Sequence, residues 1–254
     1  MSENIIEVKN LTKTFVVRSM SYGLKNILLH LPRYIRERAQ ARRFKALDNI
    51  SFTVKRGERI GLSGHNGCGK TTLLSILGGV YTQYQGVCTV RGRVSMMLAL
   101  GAGFNNQLSG RENIILNGVL QGKTIREMRE CMDDIIEFSG VGEFIDAPVY
   151  QYSSGMLARL GFGVITAIDP EILLVDEVMA VGDKDFRQKC EARMEKLLAN
   201  GTTLVLVSHS QSVLDKYCDR IITMDHGRIV NDTGSTDPLS GDLSEKKELQ
   251  NAAL

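Results

Sequence analysis

Apolar positions along the chain follow two periods, and the change from one to the other marks out the elements. Short continuous apolar runs at residues 60–62, 172–175 and 204–207 predict strands buried on both faces, as a parallel sheet requires. Residues 5–15 and 50–62 read as strands of one core, and residues 86–100 as further strands. Residues 110–139 are helix-rich, most clearly in IREMRECMDDIIEF, where apolar side chains return at helical spacing. From residue 168 onward strands alternate with helices, which returns the chain to a parallel sheet. The expected fold class is α/β.

One stretch breaks this order. In residues 24–31, Leu24, Ile27, Leu28 and Leu31 fall at i, i+3, i+4 and i+7, one apolar helical face. Gly23 precedes it and Pro32 stops it. RYIRERAQARRF follows, a cationic run interleaved with Tyr34, Ile35 and Phe44. A basic amphipathic insertion, about residues 19–45, therefore divides two strands of the same core.

Charge sharpens the anomaly. The net charge is only +2, yet residues 18–45 hold eight basic side chains against Glu37 alone, so this segment is +7 and the remainder −5. With 254 residues and 43% apolar content the chain can bury one sizeable core with a subdomain. Five cysteines, odd in number and without a C-x-x-C pair, suggest neither a disulfide framework nor a cysteine zinc site and fit a reducing cytosol. The polar opening MSENIIEVKN is not a signal peptide, and no run approaches the roughly 18 apolar residues needed to cross a bilayer. The expectation is a protein soluble on its own.

The chemistry is concentrated in ERIGLSGHNGCGKTTLLSILGG. Gly64, His65, Asn66, Gly67, Cys68, Gly69, Lys70 and Thr71 complete the pattern G-x-x-x-x-G-K-[ST], in the strand–loop–helix context that supports it. The glycines allow the backbone to aim N–H groups at phosphate oxygens, and the helix adds its positive N-terminal end. Lys70 is expected to reach the β- and γ-phosphates and Thr71 to ligate Mg²⁺, with Thr72 beside them. The pattern marks an ATP or GTP site. Cys68 lies inside the loop, so a bulky thiol reagent is expected to block nucleotide binding.

The run ILLV ends in Asp176-Glu177. The C-terminal ends of parallel strands face the ligand crevice, so Asp176 is a candidate for the Mg²⁺ shell and Glu177 for polarising water. Tyr152-Ser153-Ser154-Gly155-Met156 precedes an apolar helical run, and two readings stay open: hydroxyls facing an anion, or a plain serine N-cap. Ala180-Val181-Gly182-Asp183 follows the acidic pair, and Ser208-His209 ends a further strand, suited to placing His209 beside a γ-phosphate.

The ordered set GHNGCGKT, YSSGM, ILLVDE, AVGD and SH resembles an ATP-binding cassette (ABC) subunit across residues 5–232. The resemblance implies a P-loop NTPase with a mixed sheet core, an antiparallel β subdomain and an inserted helical subdomain, about residues 104–167, within a domain of residues 1–233. A polar tail of residues 234–254 follows. It implies two copies of the chain, head to tail, each ATP lying between one P-loop and the other copy's Ser154 and Gly155. It further implies Glu177 as general base, His209 on the γ-phosphate and water, Asp183 coupling the two sites, and Phe15 stacking on adenine.

Departures from the pattern narrow the branch. YSSGM stands where LSGGQ is common, Val178 follows Glu177 where proline is usual, and Leu100 occupies the position of a metal-touching glutamine. LGAGF, LSGREN, YSSGM and VDEVMAVGD resemble the ATPases that export bacterial surface polysaccharides. That branch implies two integral-membrane permease subunits, a lipid-linked glycan as cargo, no nucleic acid, and a peripheral place on the cytoplasmic face of the inner membrane. Two rival readings are an ABC ATPase with a non-glycan cargo and a soluble ABC ATPase acting on nucleic acid. For the insertion three readings compete: a helix packed on the domain's own core, an interfacial helix on anionic lipid, or a docking element for the permease.

Overall fold

The computed structural model describes residues 3–17, 42–97, 103–176 and 184–234. Most of the basic insertion, Leu100, the Glu177–Asp183 stretch and nearly all of the C-terminal tail lie outside the described residues.

Two sheets enclose the main core. β1 (Asn4–Val17), β2 (Arg42–Lys55) and β4 (Gln85–Val90) form an antiparallel sheet in the order β2-β1-β4. The second sheet has the order β5-β6-β7-β3-β8-β9: β5 (Val94–Met97), β6 (Ile172–Asp176), β7 (Thr203–Val207), β3 (Arg59–Ser63), β8 (Arg220–Asp225) and β9 (Arg228–Asp232). Its pairings are parallel except β8 with β9.

The apolar runs behave as their pattern requires. Residues 172–175 and 204–207 are essentially inaccessible, because each strand has covered faces on both sides. On one face helix α1 (Lys70–Leu77) packs Leu73, Leu74, Ile76 and Leu77 against Ile6, Val8, Leu47 and Ile60. Each such fully buried side chain contributes roughly 1.5–3 kcal/mol. The other face is covered by Phe162 of α5 (Ser154–Ala167), by Phe186, Cys190 and Met194 of α6 (Lys184–Ala199), and by Leu214 of α7 (Gln211–Tyr217).

The helix-rich stretch resolves into α2 (Gly110–Leu120), α3 (Ile125–Glu130) and α4 (Met132–Ser139), which share a separate core with α5. Asn113, wholly buried, organises its entry. Its Oδ1 accepts from Asn105 N, and its Nδ2 donates to the carbonyls of Asn105, Leu108 and Ser109.

The structure moves two boundaries. β1 continues to Val17 and β2 begins at Arg42, with Val17 opposite Arg42 and Phe15 opposite Phe44. The expected insertion of about 19–45 is therefore too long at its end, because residues 42–45 are ladder. The expected strand region 86–100 is split, β4 joining the antiparallel sheet and β5 the other.

Two helices start with reciprocal capping boxes, Ser109 with Glu112 and Thr124 with Glu127. The Thr124 backbone N–H, then its hydroxyl, then Lys123, hold the Glu127 carboxyl down to about 2. A carboxyl depressed on folding stabilises the folded state above its unfolded value of 4.5 and loses that contribution as pH falls through about 2. Urea midpoints measured from pH 6 to about pH 2 should therefore fall more steeply in the native chain than in Glu127→Gln. Parallel curves for the two proteins would show that this cap is not formed in solution.

Candidate functional site

The loop between β3 and α1 is shaped by close backbone packing. Gly64 has φ 138° and Gly69 φ 112°, left-handed values that L side chains rarely adopt. A Cβ on Gly64 would lie 2.2 Å from the Met224 carbonyl oxygen, and one on Gly69 2.5 Å from that of Ala46. The loop is thus seated between β2 and the end of β8. The Cys68 carbonyl accepts from Gly227 N at 2.9 Å, and the Gly227 carbonyl accepts from Asp48 N at 2.8 Å. Arg228 and Lys45 both bind the Asp48 carboxylate. These cations, Lys45 foremost, hold that carboxyl below the usual range. Two backbone bonds and an ion-pair cluster join the loop, the β8–β9 turn and β2.

A cavity of about 490 Å³ opens on the other side of this loop. Its walls are Asn66, Gly67, Gly69, Lys70, Thr71, Thr72, Asp176, Val207, His209, Phe44 and Ala46. Lys70 is nearly buried, and its Nζ donates to the carbonyls of Gly64 at 2.7 Å and His65 at 3.0 Å. Thr71 Oγ1 donates to Asp176 Oδ2 at 2.7 Å. Those two oxygens are hard donors, and their separation is close to the edge of about 2.9 Å between neighbouring ligands in an octahedral Mg²⁺ shell. The donor set fits that ion. Ser208 Oγ accepts from Ser210 N at 3.1 Å, which shapes the turn carrying His209 to the cavity wall.

The structure brings together eight of the residues expected from the sequence: Asn66, Gly67, Gly69, Lys70, Thr71, Thr72, Asp176 and His209. It separates others. Phe15 is not at the wall; its ring meets Tyr81 edge-on at 5.4 Å, with Lys13 Nζ 5.0 Å from its centroid. Phe44, half exposed and opposite Phe15 in the ladder, lines the cavity instead. The reason is register: Phe44 and Ala46 belong to β2, whose first residues, 42–45, overlap the expected insertion of about 19–45. Extending the strand backward from DNISF through FKAL was the available signal.

Ser153 is the N-cap of α5, its Oγ accepting from Met156 N at 3.2 Å, so the capping reading holds for that serine. Ser154 is exposed and Gly155 partly so, and neither lines the cavity. His65 turns its ring away from the cavity and toward Asp225. Glu177 and Asp183 lie outside the described residues. Among the described residues no helix is long and apolar enough to cross a membrane.

A mixed sheet with a phosphate-binding loop, a Lys–Thr–Asp cluster at its strand ends and a separate helical core defines a P-loop nucleotide-binding cassette. The model of the ABC transporter family matches residues 47–180, more than half of the chain. The O-antigen export system ATP-binding protein RfbB of Klebsiella pneumoniae is 42% identical over 228 residues, covering 89% of this chain and 92% of that protein. The teichoic acids export ATP-binding protein TagH of Lactococcus lactis is 45% identical over 186 residues, 73% of this chain and 40% of that protein. Among solved structures, an ATP-binding subunit of an ABC transporter aligns with TM-score 0.71 at 18% identity, over 97% of this chain and 98% of that one. The cassette MJ0796, solved as a dimer in a post-hydrolysis state with ADP and Pi, aligns with TM-score 0.66 at 22% identity, over 89% of this chain and 97% of that one. The chain belongs to the ABC transporter family.

The expectation for Cys68 needs correction. Its thiol is inaccessible, packed beneath the loop with Sγ 3.8 Å from Lys70 Nζ. Burial also pushes the Cys190 and Cys218 thiols up to about 12. In native protein at pH 8, brief iodoacetamide treatment followed by peptide mass spectrometry should leave Cys68 unmodified, and urea should expose it. Rapid native labelling of Cys68, suppressed by nucleotide, would mean that the loop opens far more than this packing allows.

Proposed function

We propose that this chain is the ATP-hydrolysing subunit of an ABC transporter that exports a lipid-linked surface polysaccharide, O-antigen-like in class. The observation that carries the nucleotide reading is the Thr71–Asp176 contact on the wall of the cavity that Lys70 also lines. The cargo reading rests on 42% identity, across nearly the full length of both chains, to a protein named for O-antigen export.

The chemistry follows from the groups present. Phosphoryl transfer asks mainly for positioning and charge neutralisation. Lys70 donates to two loop carbonyls, so triphosphate entry exchanges neutral acceptors for anionic oxygens, which make the stronger charge-assisted bonds. The loop N–H groups and the α1 N-terminus receive the remaining phosphate charge. Thr71 and Asp176 are the residues that would hold Mg²⁺, which supplies charge neutralisation on the phosphates when bound. Glu177, next after Asp176, takes the proton from the attacking water. His209, on the β7 side of the same cavity, orients the γ-phosphate and that water.

A second copy completes the site. Ser154 and Gly155 start α5 away from the cavity, where they can serve the γ-phosphate of a partner and not their own. Asp183 couples the two sites in that pairing. Two permease subunits carry the glycan across the inner membrane, and this chain acts from the cytoplasmic face. The basic insertion meets the permease or the anionic lipid beside it.

Phe44 replaces Phe15 as the adenine-stacking residue in this reading. An aromatic contact of about 0.5–1.5 kcal/mol predicts that Phe44→Ala weakens ATP binding roughly two- to tenfold, with Phe15→Ala weaker in effect. Equilibrium titration with a fluorescent ATP analogue measures both, and a larger loss in Phe15→Ala would return the role to Phe15.

Lys70→Ala is expected to lose ATP binding, whereas Glu177→Gln binds ATP and stalls at hydrolysis. In cells whose native chain is replaced by Glu177→Gln, lipid-linked glycan should accumulate on the cytosolic side and surface polymer should disappear. Unchanged surface glycan, with the purified variant still stalled, would direct the search to another cargo.

A further inference from the structure

On the outer side of the phosphate-binding loop, His65, Asp225 and His226 present three ligand atoms within 4.8 Å of one another. His65 comes from the loop, Asp225 from the end of β8 and His226 from the β8–β9 turn. We propose that these three side chains form a zinc site that fastens the phosphate-binding loop to the β8–β9 turn.

Hydrogen-bond arithmetic at His65 is the first argument. Nδ1 lies 2.8 Å from the Asn66 carbonyl oxygen and Nε2 2.8 Å from Asp225 Oδ1. Both neighbours are acceptors, and a neutral imidazole has one N–H. With that N–H on the Asn66 carbonyl, the Nε2 lone pair faces a carboxylate. A cation bound between the two would turn that contact into a favourable one. A histidine with one nitrogen bonded to a backbone carbonyl and the other turned to a metal is the usual second-shell arrangement.

Geometry supplies the second argument. His226 Nε2 is 3.9 Å from Asp225 Oδ1, and the two imidazole centroids are 5.1 Å apart at 64°. Ligand bonds near 2.0–2.1 Å in a tetrahedral shell place neighbouring donors about 3.3 Å apart. The His65–Asp225 pair must open by about 0.5 Å, the His226–Asp225 pair close by about 0.6 Å, and the two imidazole nitrogens, within 4.8 Å of each other, close by up to about 1.5 Å, which rotation of exposed side chains supplies. The backbone beneath them is already pinned, since Gly227 N donates to Cys68 O at 2.9 Å. Two imidazoles and one carboxylate select a borderline ion such as Zn²⁺ over Mg²⁺. Water completes the fourth position. The site is distinct from the Thr71–Asp176 pair.

The test uses the full chain, stripped of metal and free of nucleotide, with Zn²⁺ as the probe. Titration against a chromogenic chelator should give one zinc per chain, and zinc should raise the melting temperature. His226→Asn keeps a residue that tolerates the φ of 45° found there. It should bind zinc at least about tenfold more weakly and lose the thermal shift. Asp225→Asn should do the same, while melting in chelator stays as in the native chain. Excess Mg²⁺ should not displace the zinc. Equal zinc affinity in native chain and both variants would place the ion elsewhere and overturn the proposal, as would no binding or ready displacement by Mg²⁺.

Discussion

The loop between β3 and α1 has to keep several N–H groups turned inward and unpaired by its own chain. Such a backbone holds that shape only if its outer side is fully occupied. Here the occupants are carbonyls and a turn: Ala46 of β2 crowds Gly69, Met224 of β8 crowds Gly64, and Gly227 bonds Cys68. Any side chain at Gly64 or Gly69 would displace backbone, not a flexible side chain, so the approach that shapes the anion cradle also forbids substitution there. Most of the architecture around the site can be read as support for that one contact.

The seam also joins the two sheets. β2 belongs to the antiparallel sheet and β8 and β9 to the other, yet both press on the same loop. Asp48 accepts charge-assisted bonds from Lys45 and Arg228 beside this junction, and Arg220 joins Glu58 and Asp232 at the base of the same hairpin. Exposed ion pairs contribute little individually. Arg220 is mostly buried and serves two carboxylates and the Thr53 carbonyl, so it fixes the hairpin's direction more firmly. The phosphate cradle, the β8–β9 turn and the Phe44–Ala46 wall are therefore joined by direct contacts.

Residues whose role follows from local backbone were legible in the sequence. The glycine spacing, Lys70, Thr71 and the strand ending in Asp176 needed only the rule that parallel strands end at the crevice, and the 2.7 Å contact between Thr71 and Asp176 agrees with it. Residues whose role depends on strand register were not. Phe15 and Phe44 are equivalent aromatics until the ladder sets one on Tyr81 and the other on the cavity wall. The arginines around Phe44 hid a short strand, because charge outweighs period two over four residues. The burial of Cys68 was equally hidden, since the loop is seated against Gly227, more than 150 positions away, as well as against its own residues.

That same ladder explains how a basic segment can divide this core without breaking it. Val17 and Arg42 are direct partners at the end of the β1–β2 pairing, so the chain leaves and re-enters the fold at one point. A hairpin end is where inserted length disturbs packing least. Growing a four-residue connection to the 24 residues of 18–41 adds only about 1.6 kcal/mol of closure entropy. Leu47, Ile50 and Phe52 of β2 stay buried and paired with β1, across bulges in the ladder. The position has a second consequence. The departure point lies two pairs beyond Phe15 and Phe44, and Phe44 lines the cavity. A segment rooted there is joined by two continuous strands to the wall that Phe44 and Ala46 form.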